Sequence, residues 1–223
     1  MERFILGSGG TLRPKEASPT TDNIRGLRIV RNFITAAEEK ALLEQIDHST
    51  WNRELARRTQ HYGQRYSYAD RQLYLAPPLP EWLSPVLERI HEKVDEFPRT
   101  AAAATMQVIV NEYEPGQGIA DHTDHVGLFG PTVVSLSLSS ATTMDFGTKG
   151  RADKISVRLQ PRDLLVLTGD ARYRWTHGIR PRIVDTVETS GGERRRLRRG
   201  RRVSITFRTI SSSPQHHGTD CCS

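Results

Sequence analysis

Two residue types suited to metal binding stand close together at His122 and Asp124, within the stretch NEYEPGQGIADHTD. A β-rich run at 105–113 precedes them, and side chains two positions apart in an extended strand point the same way. His122 and Asp124 therefore share a face, whereas Asp121 and His125 have the wrong parity. One histidine and one carboxylate are two of the three ligands of a facial triad for non-haem Fe(II), and His177 in WTHGI is the candidate for the third. Such a triad leaves positions open for a bidentate co-substrate and O2.

A second group of residues suggests what the co-substrate is. The predicted strand at 202–208 alternates, and its polar face consists of Arg202, Ser204, Thr206 and Arg208. Guanidiniums that face a protein interior need anionic partners, because an unpaired buried charge is costly. A dicarboxylate such as 2-oxoglutarate supplies them, since arginine binds carboxylates through a bidentate fork. Asn111 and Tyr113 also share a face and can donate hydrogen bonds to that acid. The alternative is that the arginines pair with an acidic residue of a neighbouring strand, Asp124 included.

Two basic segments could contact a substrate. Residues 51–68 interleave basic and aromatic side chains, a composition suited to stacking on bases and contacting phosphates. The predicted substrate contacts there are Arg58, Tyr62, Tyr66 and Tyr68. An ordinary irregular connection is the alternative interpretation of this segment. Residues 190–202 hold seven arginines within nine positions, and they are interpreted as a flexible basic loop or hairpin between two strands. Such a run is commonly just solvated, but here it is also the densest candidate for phosphate contact.

The surrounding pattern predicts the elements that position these residues. A strand is predicted at 28–33, and Thr35 with Glu38 forms a capping box that opens a helix ending near His48. A second helix is predicted at 81–96 from the spacing of its apolar residues. Short β-like runs follow from residue 105 onward, with strands expected at 134–138, 142–146, 155–159, 163–168, 172–177, 183–189 and 202–209. Two helices followed by about eight short strands predict an α+β domain built on a β-sandwich or barrel.

Length and composition limit the organisation of the chain. At 223 residues, one domain is expected at 27–210, between a flexible arm at 1–26 and a disordered tail at 211–223. No apolar run is long enough to span a membrane. The only cysteines, Cys221 and Cys222, form no disulfide framework, so we expect a reducing compartment, cytoplasmic or nuclear. The net charge of +6 and the pI near 9.6 favour an anionic partner. We expect a monomer.

The motifs together resemble a known family. The pattern NxYxPGxGIxxHxD, followed by WTHGI and RxSxTFR, resembles the AlkB family of Fe(II)/2-oxoglutarate dioxygenases over residues 27–210. The resemblance implies a double-stranded β-helix, or jelly roll, with helices supporting one side, and a nucleotide-recognition lid at 51–68. It implies Fe(II), 2-oxoglutarate and O2 as cofactor and co-substrates. The implied iron ligands are His122, Asp124 and His177. The implied 2-oxoglutarate contacts are Asn111, Tyr113, Arg202 and Arg208, with Ser204 and Thr206 on the same face.

Some phrases are closer to one branch of that family. YEPGQGI, VVSLSLSS and LLVLTGDARYRWTHGI look like the dioxygenase domain that hydroxylates a modified wobble uridine in tRNA. Two departures from repair-type members concern base preference rather than iron chemistry: Ser204 stands where many members have Asn, and Val126 where an acidic residue follows the aspartate ligand. The resemblance implies hydroxylation or oxidative demethylation of a modified nucleobase in RNA, tRNA or alkylated DNA. The alternatives are the same iron chemistry on a protein side chain or small molecule, and a binding module without catalysis.

Overall fold

The computed structural model describes residues 4–6, 12–14, 23–67, 70, 72–99, 105–148, 154–188 and 192–211. Tyr68 and residues 212–223 of the tail predicted at 211–223 lie outside the described residues. The helices are α1 (Ala36–His48), α2 (Ser84–Lys93), preceded by a 3-10 turn at Glu81–Leu83, and α3 (Gly169–Tyr173). The strands are β1 (Phe4–Leu6), β2 (Leu12–Pro14), β3 (Leu27–Val30), β4 (Thr59–Ser67), β5 (Gln72–Leu75), β6 (Met106–Tyr113), β7 (Ile119–His122), β8 (Phe129–Leu138), β9 (Thr142–Thr148), β10 (Ile155–Leu159), β11 (Leu164–Leu167), β12 (Trp175–Ile179), β13 (Val184–Glu188), β14 (Arg194–Arg198) and β15 (Arg202–Ile210).

Two antiparallel sheets form the body of the domain. The major sheet has the order β3-β11-β8-β15-β6-β4-β5, and the minor sheet has the order β10-β9-β12-β7. β13 pairs with β14, and β1 pairs with β2, each as a separate two-stranded ribbon. Sequence neighbours are often not sheet neighbours, since β8 lies between β11 and β15. This crossing between two sheets is the jelly-roll arrangement, and the predicted α+β jelly roll with two supporting helices is therefore confirmed.

Two apolar layers hold the sheets and helices together. One face of the major sheet packs against α1 and α2, and this layer includes Ile46, Ile90 and Phe207, each fully buried. The other face packs against the minor sheet through residues such as Leu167 and Phe146. The alternation predicted for β15 is what divides its side chains between these layers, because successive residues of a strand point to opposite faces.

The first helix begins and is held where the sequence predicts. The Thr35 side chain accepts from the Glu38 N–H, and the Glu38 carboxylate accepts from the Thr35 N–H at 2.7 Å, which completes the capping box. Arg89 of α2 donates to the same carboxylate at 2.5 Å and so links the two helices. The Arg89 hydrogen bond, with the Thr35 backbone, lowers the pKa of Glu38 to about 2.

Three expectations for the elements differ from the structure. The predicted helix at 81–96 begins with a 3-10 turn and ends at Lys93, before the aromatic Phe97 that packs into the core. The predicted strand at 28–33 ends at Val30, because Asn32 has a left-handed backbone with φ of 50°. The predicted strand at 172–177 is instead α3 followed by β12, which starts at Trp175. Ile24, within the arm predicted at 1–26, is buried between the two sheets.

The arginine-rich segment is a hairpin rather than an unstructured loop. β13 and β14 pair over Val184–Glu188 and Arg194–Arg198, and all five side chains of β14 are exposed. Its base is fixed by the fully buried carboxylate of Asp185, which forms ion pairs with Arg158 at 2.6 Å and with Arg199 at 2.8 Å.

None of the helices in the described ranges has the length and apolar character needed to cross a membrane.

Candidate active site

Two strands of the minor sheet bring the two predicted histidine ligands together. His122 is the last residue of β7, and it is the register partner of His177 in the neighbouring β12. Their ring centroids are 4.5 Å apart. The His122 Nδ1 lies 2.9 Å from the Ala120 carbonyl oxygen. Because a carbonyl can only accept, Nδ1 carries the proton and Nε2 keeps a lone pair available to a metal.

Two glycines allow these strands to approach. A Cβ on Gly178 would lie 2.4 Å from the Asp121 Oδ1, and a Cβ on Gly118 would lie 2.1 Å from the Ile179 carbonyl oxygen. Both distances are far inside van der Waals contact, so a side chain at either position would push β7 and β12 apart. The glycines of PGxG and THG thus have a physical role in setting the distance between His122 and His177.

Asp124 completes the group from a position just beyond the strand. β7 ends at His122, so the alternation argument does not strictly extend to Asp124, but its carboxylate still reaches the same place. It is buried, with Oδ2 3.8 Å from the His177 Nε2. Its other oxygen pairs with Arg208. Burial alone would raise the pKa of the Asp124 carboxyl, but the positive charge of Arg208, with smaller contributions from the two histidines, holds this pKa below its ordinary value.

The donor set fits a divalent metal ion. Desolvation lowers the pKa of His177 to about 4, so the ring is neutral at physiological pH, as a ligand must be. The His177 Nδ1 is buried and has no hydrogen-bond partner among the described residues. Within the described ranges, no three histidine, cysteine or acidic side chains stand close enough to hold an ion without adjustment. Adjacent ligand atoms of one ion are about 3 Å apart for bonds near 2.1 Å, so the 3.8 Å between His177 and Asp124 requires only a small side-chain rotation.

The polar face of β15 lines the same cavity as these residues. The inner cavity has an open volume of about 490 Å³ and is lined by Asn111, Tyr113, Ile119, His122, Asp124, Val133, Ser135, Met144, Leu165, Leu167, His177, Arg202, Ser204, Thr206 and Arg208. All nine residues predicted to bind metal or 2-oxoglutarate are among them. The apolar side chains come mainly from β8, β9 and β11. Most of the polar groups come from β6 and β15 of the major sheet and from β7, β12 and the turn after β7 on the minor-sheet side.

Arg202 is a buried cation without an acidic partner. Its side chain is 4 % exposed, and no carboxylate in the described part of the chain lies within ion-pair distance of it. It donates to the Ser137 hydroxyl at 3.1 Å and lies 5.3 Å from the centre of the Tyr113 ring. Its Nε has no hydrogen-bond partner in the described structure. Burial lowers the pKa of the guanidinium, and a bound anion would relieve that cost.

Arg208 differs from Arg202, although both lie on the same strand face. It pairs with Asp124 and donates to the Gln107 side chain at 2.7 Å. The alternative raised from the sequence, an ion pair with Asp124, therefore holds for Arg208 and not for Arg202. The two arginines stand at opposite ends of the row of four polar positions, with Ser204 and Thr206 between them. Of the two, Arg202 is the one whose positive charge has no acidic partner among the residues that the structure describes.

Asn111 and Tyr113 reach the cavity from β6, the strand next to β15. Asn111 is the register partner of Ser204, and Tyr113 is the register partner of Arg202. Arg57 donates to the Asn111 Oδ1 at 2.9 Å and lies 5.8 Å from the Tyr113 ring. One arginine thus contacts two residues of the inner cavity from outside it.

An outer cleft opens onto the inner cavity. It has an open volume of about 1470 Å³ and shares Asn111, Ile119, His122 and Arg208 with the inner cavity. Arg57, His61, Arg65 and Tyr66 line its basic and aromatic wall. The Tyr66 ring meets His125 edge-on, with centroids 5.5 Å apart. A ligand in this cleft would therefore end beside His122.

The predicted substrate contacts agree only in part with this geometry. Tyr66 lines the outer cleft, and Tyr68 lies outside the described residues. Tyr62 is buried in the core, where its hydroxyl donates to Gln60 at 3.1 Å and its ring meets Trp82 edge-on, so it is not placed to stack on a base. Arg58 forms a bidentate pair with buried Glu112 and covers the Trp51 ring at 4.4 Å. The expectation is corrected at Arg58, which is engaged by Glu112 and Trp51, and at Tyr62, which is buried in the apolar layer between the major sheet and the helices.

Two residues near the site are not predicted from the sequence. Arg57 is one position from Arg58, and both precede β4, which begins at Thr59, so the sequence pattern does not indicate that Arg57 lines the outer cleft. Arg172 lies five residues before His177 and is fully buried. Its environment depends on α3, which the sequence pattern does not predict.

Comparisons with known proteins agree with the motifs. The family described as "2OG-Fe(II) oxygenase superfamily" matches residues 26–208. The chain is 36% identical over 207 residues to "tRNA (carboxymethyluridine(34)-5-O)-methyltransferase ALKBH8" of Mus musculus, covering 85% of this chain and 31% of that protein. It is 32% identical over 200 residues to "Uncharacterized protein L905" of Acanthamoeba polyphaga mimivirus, covering 87% and 90% respectively. This chain thus spans about a third of the length of the mouse relative, but nearly all of the viral one.

A further relative and a solved structure agree with these matches. The "Alkylated DNA repair protein ALKBH8 homolog" of Arabidopsis thaliana is 34% identical over 213 residues, covering 86% of this chain and 60% of that protein. The solved structure described as "The structure of OsALKBH1" superposes with a TM-score of 0.59 at 18% identity, covering 82% of this chain and 96% of that one. At that identity the superposition supports the fold alone. The family match and the relatives above 30% identity show that this chain belongs to the 2OG-Fe(II) oxygenase superfamily and, within it, to the AlkB family of Fe(II)- and 2-oxoglutarate-dependent dioxygenases.

Proposed function

We propose that this protein hydroxylates or oxidatively demethylates a modified nucleobase in nucleic acid, with tRNA as the first substrate to test. The observation that carries the proposal is the inner cavity. It joins the three residues of the proposed facial triad, His122, Asp124 and His177, to a buried arginine, Arg202, that has no acidic partner among the described residues. A metal site and an anion site in one enclosed space are what a dioxygenase needs in order to bind Fe(II) and 2-oxoglutarate together.

The co-substrate half of the proposal assigns roles to β6 and β15. Arg202 pairs with the far carboxylate of 2-oxoglutarate, and Tyr113 and Asn111 donate hydrogen bonds to the acid. Ser204 and Thr206 line the path between that arginine and the metal ligands. Fe(II), when bound with 2-oxoglutarate and O2, supplies an oxidation that yields succinate and CO2 and places one oxygen atom on a substrate C–H bond.

The inner cavity also has an apolar wall, which serves this chemistry. Val133, Met144, Leu165 and Leu167 line it and offer no hydrogen bonds to water. A dry wall strengthens the pairing of Arg202 with a carboxylate, because charges interact more strongly where water is excluded. The polar groups therefore orient the acid, and the apolar groups keep competing water away from it.

The substrate half of the proposal assigns a nucleotide to the outer cleft. Arg57, Arg65 and Tyr66 provide positive charge and an aromatic surface, a combination that binds single-stranded nucleic acid. A base within a duplex would have to be flipped out of the stack to reach the metal ligands. The exposed arginines of β14 extend the positive surface beyond the cleft.

Relatives suggest which modification to test first. The names of two relatives refer to a carboxymethyluridine at position 34 of tRNA and to alkylated DNA. We propose a modified wobble uridine as the preferred target, because several sequence motifs of this chain resemble the dioxygenase domain of that branch. If the target carbon is on a stable side chain, the hydroxyl remains. If that carbon is a methyl on nitrogen, the hydroxylated product loses formaldehyde.

We also propose that the protein is a monomer and that it works in a reducing, intracellular compartment.

Nucleoside mass spectrometry tests the proposal directly. Bulk tRNA, methylated RNA and methylated DNA oligonucleotides are each incubated with the protein, Fe(II) and 2-oxoglutarate, and then digested. The expected result is a mass gain of one oxygen on a modified uridine, or loss of a methyl group, that is absent with the His177→Ala variant. Succinate production with no change in any of the three nucleic acids would rule out a nucleobase as the substrate. It would favour the alternative, a protein side chain or a small molecule.

The hairpin arginines provide an independent check on the polymer. Replacing Arg194, Arg196 and Arg198 by Gln should weaken RNA binding and reduce the slope of log affinity against log salt by about 0.7 for each phosphate that is no longer neutralised. The same variant should turn over a single modified nucleoside at the wild-type rate. An unchanged dependence of RNA affinity on salt would show that the hairpin does not contact the nucleic acid.

A further inference from the structure

Arg172 is a buried cation that none of the roles above uses. It lies in α3 and is 1 % exposed, and it is the largest of the fully buried side chains in the described structure. No carboxylate in the described ranges forms an ion pair with it. Burial lowers the pKa of this guanidinium, while the nearby Asp124 opposes that change. A charge kept in such a place must be compensated by other groups.

The compensation comes from one short stretch of backbone. The Arg172 Nη1 donates to the Asp124 carbonyl oxygen at 2.9 Å, and Nε donates to the Gly130 carbonyl oxygen at 3.2 Å. Nη2 donates to the carbonyl oxygens of Phe129 at 3.1 Å and His125 at 3.3 Å. These four acceptors all lie within residues 124–130. A planar guanidinium with five N–H groups can serve them at once, whereas a lysine cannot.

The stretch that Arg172 holds carries a proposed metal ligand. Residue 124 is the carboxylate ligand, and the following turn is closed by the Phe129 N–H, which donates to the His125 carbonyl at 3.0 Å. The Phe129 ring lies 4.9 Å from the guanidinium of Arg208, the cation that pairs with Asp124. Holding the turn thus fixes both the main chain of Asp124 and one neighbour of the arginine that contacts its side chain.

The position of Arg172 along the chain adds the second ligand. α3 leads directly into β12, which carries His177. The hydrogen bonds of Arg172 therefore join the segment that carries Asp124 to α3, and α3 continues within two residues into the strand of His177. The alternative is that Arg172 only fills space in the core. That role would not require all four of its hydrogen bonds to go to the turn that carries Asp124.

We propose that Arg172 is a positioning residue that holds the Asp124 turn against the His177 strand and so preorganises the metal site before the metal binds. This inference rests on the proposed metal ligands. Preorganisation of this kind appears as metal affinity, because a ligand segment that is already ordered loses less freedom on binding.

Metal binding by matched variants tests the inference. Anaerobic titration calorimetry with Mn²⁺ is carried out on the wild type, Arg172→Lys, Arg172→Gln, and the controls Arg174→Lys and Arg174→Gln. Arg174 belongs to the same part of the fold, but its side chain is 78% exposed. The expected result is Mn²⁺ affinity at least about tenfold lower for both Arg172 variants, at a temperature where circular dichroism shows them folded, with the Arg174 variants unchanged. Folded Arg172 variants with wild-type affinity would overturn the inference.

A measurement on the unaltered protein guards against variants that fail to fold. In the metal-free wild type, the amides of Leu128 and Phe129 should already be protected from hydrogen exchange. Free exchange of these amides until Mn²⁺ is added would mean that the metal, and not Arg172, orders the turn. The His122→Ala variant tests the metal ligands separately from Arg172. It should abolish Mn²⁺ binding. If it still binds Mn²⁺, the assignment of the metal ligands is wrong, whatever the role of Arg172.

Discussion

His122 and His177 face each other as register partners on two adjacent antiparallel strands, with ring centroids 4.5 Å apart. The backbone pairing of β7 with β12 places the two positions opposite each other, and this does not depend on the side-chain rotamers. Gly178, next to His177, allows the strands to come close enough for the rings to meet. Two residues far apart in sequence thereby become a prearranged pair, and the buried Asp124 lies beside them.

The first prediction concerns the metal ligands. His177→Ala and Asp124→Asn should each reduce Mn²⁺ affinity by at least about 100-fold, because each removes one of three ligands. Titration calorimetry on the folded, metal-free variants measures this. The control is His125→Ala, whose ring is adjacent in sequence but points to Tyr66 and not into the inner cavity. Equal losses for His125→Ala and His177→Ala would show that the ligands are wrongly chosen.

The second prediction separates 2-oxoglutarate binding from chemistry. Arg202→Met should raise the KM for 2-oxoglutarate by about 30-fold or more, because truncating one partner of a buried charge pair costs about 2–5 kcal/mol. Succinate production at varied 2-oxoglutarate measures it. Arg201→Met is the matched control: Arg201 pairs with Glu112 at 2.6 Å and with Asp47, outside the inner cavity. A similar rise in KM for the Arg201 variant would mean that the effect is general destabilisation.

The third prediction concerns Arg57, which touches both the outer cleft and the inner cavity. Because it donates to Asn111 and faces Tyr113, Arg57→Met should affect both reactants. We expect a rise of about tenfold in KM for the nucleic acid and a smaller rise in KM for 2-oxoglutarate, as one charge-assisted hydrogen bond contributes about 1.5–3 kcal/mol. Steady-state kinetics with each reactant varied provides the test, with the exposed Arg53→Met as control. A change confined to the nucleic acid would argue that the contact with Asn111 has no influence on co-substrate binding.

The fourth prediction is a pH dependence of stability that arises at His61. Burial, together with the nearby charge of Arg65, lowers the pKa of His61 to about 4 from its ordinary value of 6.5. The unfolded chain therefore binds more protons than the folded one between these values, so stability is full above pH 6.5 and falls as pH drops towards 4. The loss is at most about 3 kcal/mol.

Urea unfolding of the metal-free protein at pH 7 and pH 5 measures this loss. His61→Asn should reduce the difference in unfolding free energy between the two pH values, with the remainder attributed to His177, whose pKa is also lowered to about 4. If wild type and His61→Asn lose stability equally between pH 7 and pH 5, His61 does not have the lowered pKa described.

The inner cavity follows from sequence more fully than its surroundings do. Strand parity alone places Arg202, Ser204, Thr206 and Arg208 on one face, and β15 has that face on the cavity. The reason is geometric: a side-chain period of two leaves no freedom once a strand is identified. Parity does not decide which arginine has an acidic partner, because that depends on a carboxylate reached across the sheet.

The outer cleft is harder to predict, because its wall depends on the local course of the backbone. Composition predicts substrate contact for residues 51–68 as a segment, and Tyr62 and Tyr66 have the same strand parity within β4. Tyr62 nevertheless packs against Trp82 in the core, whereas Tyr66 meets His125 and lines the cleft, and Gly63 between them has a left-handed backbone with φ of 75°. Composition indicates the kind of surface, but strand parity does not assign these two side chains to a side.

Helix α3 shows a different limit. The sequence pattern predicts a strand at 172–177, but a short helix begins at Gly169, whose backbone is left-handed with φ of 47°. The turn that it makes buries Arg172 against the carbonyls of the Asp124 turn. Arg172 stands between Asp170 and the exposed Arg174, and nothing in this sequence distinguishes the buried arginine from its neighbour or indicates the backbone acceptors it meets.

We expect the inner cavity to bind a metal through three ligands and 2-oxoglutarate through Arg202 at the same time. A crystal structure of the protein with Mn²⁺ and 2-oxoglutarate, grown under anaerobic conditions, would make both visible. An anomalous peak should lie between His122, Asp124 and His177, and the far carboxylate of the acid should pair with Arg202. A metal bound elsewhere, or an acid whose carboxylates do not contact Arg202, would rule out this assignment of the cavity.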